Sequence, residues 1–283
     1  MSDAELLATM PPMADLLAVA LRAGRDAATL VQAGWRKNPH VEHKGRVDLV
    51  TEFDRKSETL LRDRLMNETP FPFIGEEEGR TEGSGTHAAT WFVDPLDGTT
   101  NFVHGHPFYC VSIGLLAGST PVLGVVVAPT FGVEWTGGSG IPATRNGELC
   151  RVSGVRAFSD ALLATGFPYD RGTSDDNNFD AFVAIKRKCQ AVRRCGSAAM
   201  DMCMVADGTY DGYWEKKLCP WDVTGGAAIV LAAGGRLSGY DGNAADILSG
   251  QLLATNGSIH DALVDELQRI PSSHLPPARR FTR

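Results

Sequence analysis

The stretch that most constrains this chain is residues 91–102, which read Trp-Phe-Val-Asp-Pro-Leu-Asp-Gly-Thr-Thr-Asn-Phe. Its first three residues are apolar and strand-like, and the Asp-Pro-Leu-Asp-Gly that follows predicts that the strand stops and turns. Two carboxylates at a buried strand end, Asp94 and Asp97, are costly unless a cation neutralises them, and Mg²⁺ takes oxygen ligands of this kind. Gly98 and Thr99 can open a short helix whose free N–H groups would bind an anion. The stretch therefore indicates metal-assisted phosphate chemistry, with an Asx-Pro turn and a second capping Asp as the ordinary alternative.

The composition is that of a globular chain with an ample core, since 43% of the 283 residues are hydrophobic and 22% are charged. A formal net charge of −7 argues against general nucleic-acid binding and against anionic membranes. No uncharged apolar run is long enough to span a bilayer. The first five residues lack the basic and apolar regions of a secretion signal, so we expect a cytoplasmic location. The six cysteines contain no Cys-x-x-Cys pair and are expected to be buried, reduced thiols.

Hydrophobic periodicity predicts two helices and several strands in the first half of the chain. Apolar residues recur at helical spacing over 13–34, and a capping box at 51–54 opens a second helix. The polar segment 36–46 and the small, polar segment 79–89 predict loops. Apolar runs predict strands at 73–74, 109–116, 122–128, 133–136 and 149–152, the second and third of which form a hairpin.

The second half alternates between strands and helices, which implies a mixed or parallel sheet covered by helices. The expected strands are 162–165, 191–193, 210–214 and 252–255, and the expected helices are 177–188, 197–206, 221–233 and 259–270. The pattern changes near residues 154–160. We therefore divide the chain into an N-terminal α+β half, 1–156, and a C-terminal α/β half, 157–283, joined without a flexible linker as one compact unit.

Three acidic sites outside the central stretch have an ordinary explanation when each is taken alone. Glu76 lies in a Glu-Glu-Glu run after the strand at 73–74 and is typical of a solvated loop. Asp222 begins a long Ala/Gly-rich helix, where an acidic residue caps the first turn. Asp54 belongs to the capping box.

The combination of these sites resembles the inositol monophosphatase family. Gly-Glu-Glu at 75–77, the central motif at 94–102 and Trp-Asp at 221–222 before Gly-Gly-Ala-Ala agree with that lithium-sensitive phosphatase family in residue type, order and spacing. The resemblance runs from Asp48 to Thr255. It implies a layered αβαβα sandwich with an antiparallel N-terminal sheet and a mixed C-terminal sheet, and an enzyme like the bacterial inositol-1-monophosphatases.

The resemblance also implies a metal site with two to three Mg²⁺ ions. Glu76, Asp94 and the backbone carbonyl of Leu96 would hold one ion. Asp94, Asp97 and Asp222 would hold a second, with Asp94 bridging the two. Glu76 would face a third, more weakly held ion through waters.

The catalytic and substrate-binding residues are carried over in the same way. Thr99, hydrogen-bonded to Asp54, would orient and help deprotonate the attacking water, with Glu76 assisting. The N–H groups of Gly98 and Thr99 would bind the phosphate. The remaining substrate contacts, which are otherwise an ordinary helix cap and charged side chains, are Gly196, Ser197, Ala198, Glu215 and Asp222.

Several positions depart from the family pattern or admit another interpretation. The family often has a lysine in the loop before Asp-Leu-Val-Thr; Lys44 lies near that place, and His43 is the closer match by counting. Glu78 stands where Ser is frequent and is expected to face solvent. His104 and His106 with a nearby Cys suggest zinc only weakly, because no second ligand pair completes a tetrahedral site.

The sequence thus predicts Mg²⁺-dependent hydrolysis of a small phosphate monoester of a polyol or amino alcohol. The best single substrate is myo-inositol 1-phosphate, on the basis of Glu215 and the Thr-Asn-Phe ending of the central motif. Histidinol phosphate and fructose 1,6-bisphosphate are the rival substrates. A protein that works mainly as a binding partner is the alternative of another class. Family members are commonly dimers, so a homodimer is expected.

Overall fold

The computed structural model describes residues 9–45, 47–85 and 89–270. The first five residues, on which the expectation of no secretion signal was based, lie outside these ranges. Every predicted helix is present, with bounds shifted by one or two residues in most cases. The helices are α1 Met13–Gly34, α2 Glu52–Glu68, α3 Thr99–Val103, α4 Phe179–Lys186, α5 Ala198–Ala206, α6 Pro220–Ala232 and α7 His260–Gln268. None of the helices in this part of the chain is long and apolar enough to cross a membrane.

Fifteen strands in the described residues form three sheets. They are β1 Val41–His43, β2 Leu49–Thr51, β3 Phe73–Gly75, β4 Gly79–Thr81, β5 Ala89–Asp97, β6 Cys110–Ala117, β7 Thr120–Ala128, β8 Val133–Gly138, β9 Ile141–Arg145, β10 Glu148–Leu149, β11 Leu162–Thr165, β12 Ala191–Arg193, β13 Gly212–Lys216, β14 Arg236–Ser238 and β15 Gln251–Thr255. The pair β1–β2 stands alone. The other sheets have the orders β10-β9-β8-β7-β6-β5-β3-β4 and β12-β11-β13-β15-β14.

The sheets confirm the expected fold class. In the eight-stranded sheet every neighbouring pair is antiparallel except β3 with β5. The five-stranded sheet is mixed, because β11 runs parallel to β12 and β13, whereas β15 is antiparallel to β13 and β14.

The elements form five layers held by three apolar cores, of which the central one lies on both faces of the α5–α6 layer. Helices α1 and α2 pack on one face of the eight-stranded sheet through residues such as Ala20, Leu61 and Trp91. Helices α5 and α6 lie between the two large sheets, and helices α4 and α7 cover the outer face of the five-stranded sheet. Because α5 and α6 contact both large sheets, side chains from before and after residue 156 share one core. The division at that residue stays a prediction.

Some of the loop and strand predictions were wrong. Strands β1 and β4 lie within segments expected to be loops, and β2, β9 and β14 were not expected at all. The strand expected at 149–152 is limited to β10. These strands are short and mostly polar or exposed, so they lack the apolar alternation that marks a strand in a sequence. These strands are defined by backbone hydrogen bonds to a neighbouring strand, and such bonds leave no pattern of side chains in the sequence.

The central stretch does not end its strand where a turn was predicted. Strand β5 continues to Asp97 and absorbs the extra residue as a bulge, since Asp94 pairs with Ser112 and Asp97 with Cys110. A bulge bends the strand and turns its side chains and carbonyls out of the regular ladder. The motif therefore stays paired to β6 while its two aspartates point towards the same cleft.

Candidate active site

The site predicted from the sequence forms one cleft of about 310 Å³. Its wall brings together residues from the turn after β3, the β5 bulge, α3, α5, β13 and α6. The predicted site residues that line it are Glu76, Asp94, Leu96, Asp97, Gly98, Thr99, Gly196, Ser197, Ala198, Glu215 and Asp222. Asp54 lies behind this wall and reaches the cleft through Thr99. The structure thus assembles every predicted position, and the roles assigned to them remain predictions.

Three structural elements deliver the four acidic side chains. Because β3 runs parallel to β5, with Gly75 opposite Val93, Glu76 follows its strand beside the aspartates of the bulge. Asp222 is the third residue of α6, where its Oδ2 accepts a 2.7 Å hydrogen bond from the backbone N–H of Cys219. The capping role proposed for Asp222 and its place on the cleft wall are therefore compatible, because one carboxylate has two oxygens.

The two aspartates of the bulge are held by different partners. Asp94 Oδ1 accepts from the N–H of Leu96 at 2.9 Å. Asp97 Oδ2 accepts from the Ser197 hydroxyl and from the N–H of Ala199, both at 2.8 Å. The second set ties the N-terminus of α5 to β5, so the residues of α5 that line the cleft are fixed relative to the carboxylates.

Burial raises the pKa of each of these carboxyl groups, and repulsion from neighbouring carboxylates of the cluster adds to the rise for Asp94 and Asp222. Burial first, then the charges of Glu76, Asp97 and Asp222, hold the pKa of Asp94 well above its ordinary value. The pKa of Asp222 is raised by burial first and then by Glu76 and Asp97. Burial raises the pKa of Glu76 to about 7 and that of Asp97 to about 6. Such a cluster destabilises the fold unless positive charge is supplied.

The donor chemistry of this cluster fits Mg²⁺. Its oxygens are carboxylates and the carbonyl of Leu96, without thiolate or imidazole, which is the set that a hard cation takes. Glu76 is paired with Lys44, whose Nζ lies 3.0 Å from Glu76 Oε1 and 2.6 Å from Glu77 Oε1. Over residues 9–45, 47–85 and 89–270, no three acidic, His or Cys side chains are grouped tightly enough to enclose a metal ion as they stand. Binding of a metal ion would therefore require these side chains to adjust.

The Thr99 hydroxyl is held next to the carboxylates by helix α2. Thr99 Oγ1 lies 2.9 Å from Asp54 Oδ1 and 3.1 Å from the carbonyl of Leu96. Asp54 is fully buried and also accepts from the N–H and hydroxyl of Thr51, as the predicted capping box requires. Gly98 caps α3 at a φ of 99°, a conformation that a side chain disfavours.

The opposite wall is built from α5 and β13. Ser197 caps α5, where its hydroxyl accepts from the N–H of Met200. Glu215 Oε2 accepts a 2.7 Å hydrogen bond from the Tyr213 hydroxyl, and burial raises the pKa of Glu215 to about 7. Glu215 also lines the cleft, so the alternative of a plain surface charge is not supported.

Lys44, rather than His43, reaches the cleft. The side chain of His43 is exposed, whereas Lys44 bonds two glutamates of the 76–78 turn. Counting along the chain favoured His43, which is the last residue of β1, whereas the side chain that lines the cleft is that of the next residue. Glu78 is half exposed and pairs with Arg62. His104 and His106 do not line the cleft.

Sequence reasoning missed Asp201, Tyr169 and Lys217, which also line the cleft. Asp201 is 2% exposed, and its Oδ1 has no hydrogen-bond partner among the described residues. Its signal in the sequence is an acidic residue within the otherwise apolar run of α5. Tyr169 and Lys217 come from irregular segments, where no periodicity indicates which side chains face inward.

A five-layered αβαβα fold around a carboxylate-rich cleft is the architecture of a family of phosphatases. The family model described as the inositol monophosphatase family matches residues 13–272. The chain belongs to the inositol monophosphatase family, whose members are phosphoric monoester hydrolases, generally metal-dependent.

Individual proteins agree with this assignment along nearly the whole chain. The chain is 41% identical over 256 residues to the inositol-1-monophosphatase of Synechocystis sp., covering 90% of this chain and 89% of that protein. It is 38% identical to the Nus factor SuhB of Pseudomonas aeruginosa, covering 94% and 99%. A solved structure of inositol monophosphatase from Anabaena (Nostoc) sp. superposes with a TM-score of 0.82 at 39% identity, covering 90% and 96%.

Proposed function

We propose that this protein hydrolyses myo-inositol 1-phosphate to myo-inositol and phosphate in a Mg²⁺-dependent reaction. The observation that carries the proposal is the meeting, in one cleft, of four mutually repelling carboxylates and a threonine hydroxyl held by a buried aspartate. Such a cleft suits an anionic phosphate only when cations reverse its charge.

The carboxylates divide into two sets of metal ligands. Glu76, Asp94 and the carbonyl of Leu96 would hold one Mg²⁺, and Asp94, Asp97 and Asp222 would hold a second. A third would lie more weakly at Glu76. When bound, Mg²⁺ supplies positive charge that polarises the phosphoryl oxygens, lowers the pKa of water and neutralises the departing alkoxide.

The remaining steps belong to the chain's own groups. The Thr99 hydroxyl donates to Asp54, so its lone pairs can orient the attacking water. It takes the water's proton as it passes its own proton to the Asp54 carboxylate. The N–H groups of Gly98 and Thr99, at the start of α3, hold the phosphate. Residues 196–198 and Glu215 position the alcohol on the opposite wall, so that attack occurs in line with the departing oxygen.

A substrate panel tests the proposal. The purified chain is assayed with myo-inositol 1-phosphate, histidinol phosphate and fructose 1,6-bisphosphate in Mg²⁺, then in excess chelator, then with added Li⁺. We expect the inositol ester to have the highest kcat/KM, and turnover to cease in chelator and to fall with Li⁺. Faster cleavage of another ester would show that this ester, and not myo-inositol 1-phosphate, is the preferred substrate. Full turnover in chelator would refute the metal dependence.

A binding role is the second candidate, because the chain is 38% identical to a protein named as a Nus factor. The variant Asp94→Asn separates the two roles in cells that lack the wild-type gene. If the variant restores the phenotype while its purified form is inactive, the binding role is the physiological one. If only catalytically active protein restores the phenotype, hydrolysis is the physiological role.

Location and assembly are part of the same proposal. We place the enzyme in the cytoplasm and expect a homodimer. Cell fractionation tests the first expectation, and sedimentation equilibrium at micromolar concentration tests the second.

A further inference from the structure

The buried face of helix α2 touches three separate segments of the active site. Asp54, Ser57 and Glu58 lie on this face, because residues three and four apart share one side of a helix. All three side chains have 0% exposure. Asp54 contacts Thr99, as described above, whereas no role has been given to Ser57 or Glu58.

Glu58 holds the turn that carries Glu76. Its Oε2 accepts from the N–H of Glu77, and its Oε1 accepts from the N–H of Glu78, both at 2.7 Å. A carboxylate that receives two N–H groups forms charge-assisted hydrogen bonds, which are stronger than neutral ones. A Cβ on Gly75 would lie 2.4 Å from the Glu58 carboxyl carbon, so glycine at 75 permits this close approach.

Ser57 holds the bulge that carries Asp94 and Leu96. Its hydroxyl donates to the carbonyl of Pro95 at 2.9 Å. Pro95 lies inside the bulge, between the paired residues Asp94 and Asp97, and takes no part in the ladder with β6. A buried carbonyl without a ladder partner needs another donor, and Ser57 supplies it.

We propose that Ser57 and Glu58 are positioning residues, which set the distance between the Glu76 turn and the Asp94–Leu96 bulge and so determine the affinity for Mg²⁺. Ser57 and Glu58 are adjacent on one helix, so the distance between their side chains fixes the distance between the bulge and the Glu76 turn that they hold. This inference rests on the proposed function, because it assigns those segments to metal binding. Groups that orient metal ligands affect metal affinity strongly even though they do not touch the ion.

Two variants and a matched control test the proposal. Glu58→Gln keeps the shape but presents an amide NH₂ to one of the two backbone N–H groups. Ser57→Ala removes the hydroxyl alone. Glu266→Gln is the control, since Glu266 is also buried, at 8% exposure, and accepts from Lys188 and Arg269 far from the cleft.

The decisive readout is Mg²⁺ affinity measured by calorimetry without substrate, beside the Tm of the metal-free protein. We expect affinity to fall about 10- to 100-fold in Glu58→Gln, and about 3- to 10-fold in Ser57→Ala, which loses one neutral hydrogen bond. The Mg²⁺ concentration for half-maximal turnover should rise in parallel. Glu266→Gln should lower Tm without changing the affinity.

The alternative outcomes are distinguishable. Wild-type affinity in a folded Glu58→Gln would overturn the inference and leave the proposed function intact. Should Glu58→Gln fail to fold, the milder Ser57→Ala decides, and an unchanged affinity there overturns the inference. A wild-type protein that does not bind Mg²⁺ would overturn the proposed function together with it.

Discussion

The two walls of the cleft differ in how firmly their acidic side chains are held. The wall that we propose to hold the metal, the metal-facing wall, carries Asp94, Asp97 and Asp222, which each accept from a backbone N–H, and Glu76 on a turn held by Glu58. On the wall of α5 and β13, which we propose to hold the alcohol and call the alcohol-facing wall, Glu215 has one hydroxyl partner, and Asp201 has a buried oxygen without a partner in the described residues. The first wall is therefore built into the backbone, whereas the second depends on side chains that can be exchanged.

Because the two walls differ in this way, we expect substitutions on them to have two different effects on turnover. Changes to the metal-facing wall should lower turnover of every phosphate ester by a similar factor. Changes to the alcohol-facing wall should alter the ratio between esters. The substrates of an enzyme on this scaffold can then diverge without disturbing the phosphate chemistry.

The largest effect is expected for Asp94→Asn on the metal-facing wall. Asp94 is the predicted bridging ligand, so its loss should lower kcat/KM at least about 10³-fold for every ester, since bound metal contributes several kcal/mol to the transition state. The metal-free variant should be more stable, with Tm raised by about 2 °C or more, because one of four repelling charges is gone. Turnover and thermal unfolding in chelator measure the two effects.

Asp63→Asn is the matched control for that variant. Asp63 has a side chain that is 65% exposed, so its replacement should leave both turnover and Tm close to those of the wild type. An Asp94→Asn protein that is inactive but also less stable without metal would contradict the account of charge repulsion.

Thr99→Val tests the water-orienting hydroxyl on the same wall. The substitution keeps the shape and removes Oγ1, which contacts Asp54. We expect kcat to fall about 10²-fold or more, as for loss of a proton-transfer group, with Mg²⁺ affinity unchanged. Thr99→Ser retains the hydroxyl and should keep most of the activity. A Thr99→Val protein with wild-type kcat would refute the role of the hydroxyl, and a Thr99→Ser protein as inactive as Thr99→Val would show that the hydroxyl alone does not account for the activity.

The same contrast explains what the sequence could predict. Each of these four carboxylates lies in a short contiguous motif at the end of a strand or the start of a helix. The resemblance of the combined motifs to the family therefore grouped Glu76, the two aspartates of the bulge and Asp222, although Glu76 and Asp222 each had an ordinary explanation when taken alone. The layered fold followed from the alternation of elements and from the family resemblance.

Features that depend on distant contacts were missed. Ser57 and Glu58 read as ordinary positions of an amphipathic helix, because their partners at Pro95 and at residues 77–78 are far away in sequence. The β5 bulge was interpreted as a turn, since Asp-Pro and Asp-Gly suit both structures. Pairing with a neighbouring strand decides between them, and no single segment contains that information.

Glu215→Gln should change substrate preference by a smaller factor. Loss of a charged acceptor for a substrate hydroxyl should raise KM for the inositol ester about 10- to 100-fold, with less effect on an ester that lacks a hydroxyl at this place. Mg²⁺ affinity should not change, since Glu215 is on the alcohol-facing wall. Steady-state kinetics on the three-ester panel provide the measurement. A uniform fall in kcat for all esters would place Glu215 with the metal-facing wall instead.

The smallest effect concerns pH. Burial raises the pKa of Glu215 to about 7, and only the ionised form accepts hydrogen bonds with both oxygens. As pH falls from 8 to 6, the ionised fraction drops from about nine-tenths to about one-tenth, so KM for the inositol ester should rise about ten-fold. The substrate phosphate also titrates near pH 6, but it does so equally with both enzymes. The KM of Glu215→Gln divided by the KM of the wild type therefore isolates the carboxyl group. This ratio should be largest at pH 8 and fall about ten-fold by pH 6, and a ratio independent of pH would show that Glu215 binds substrate without titrating in this range.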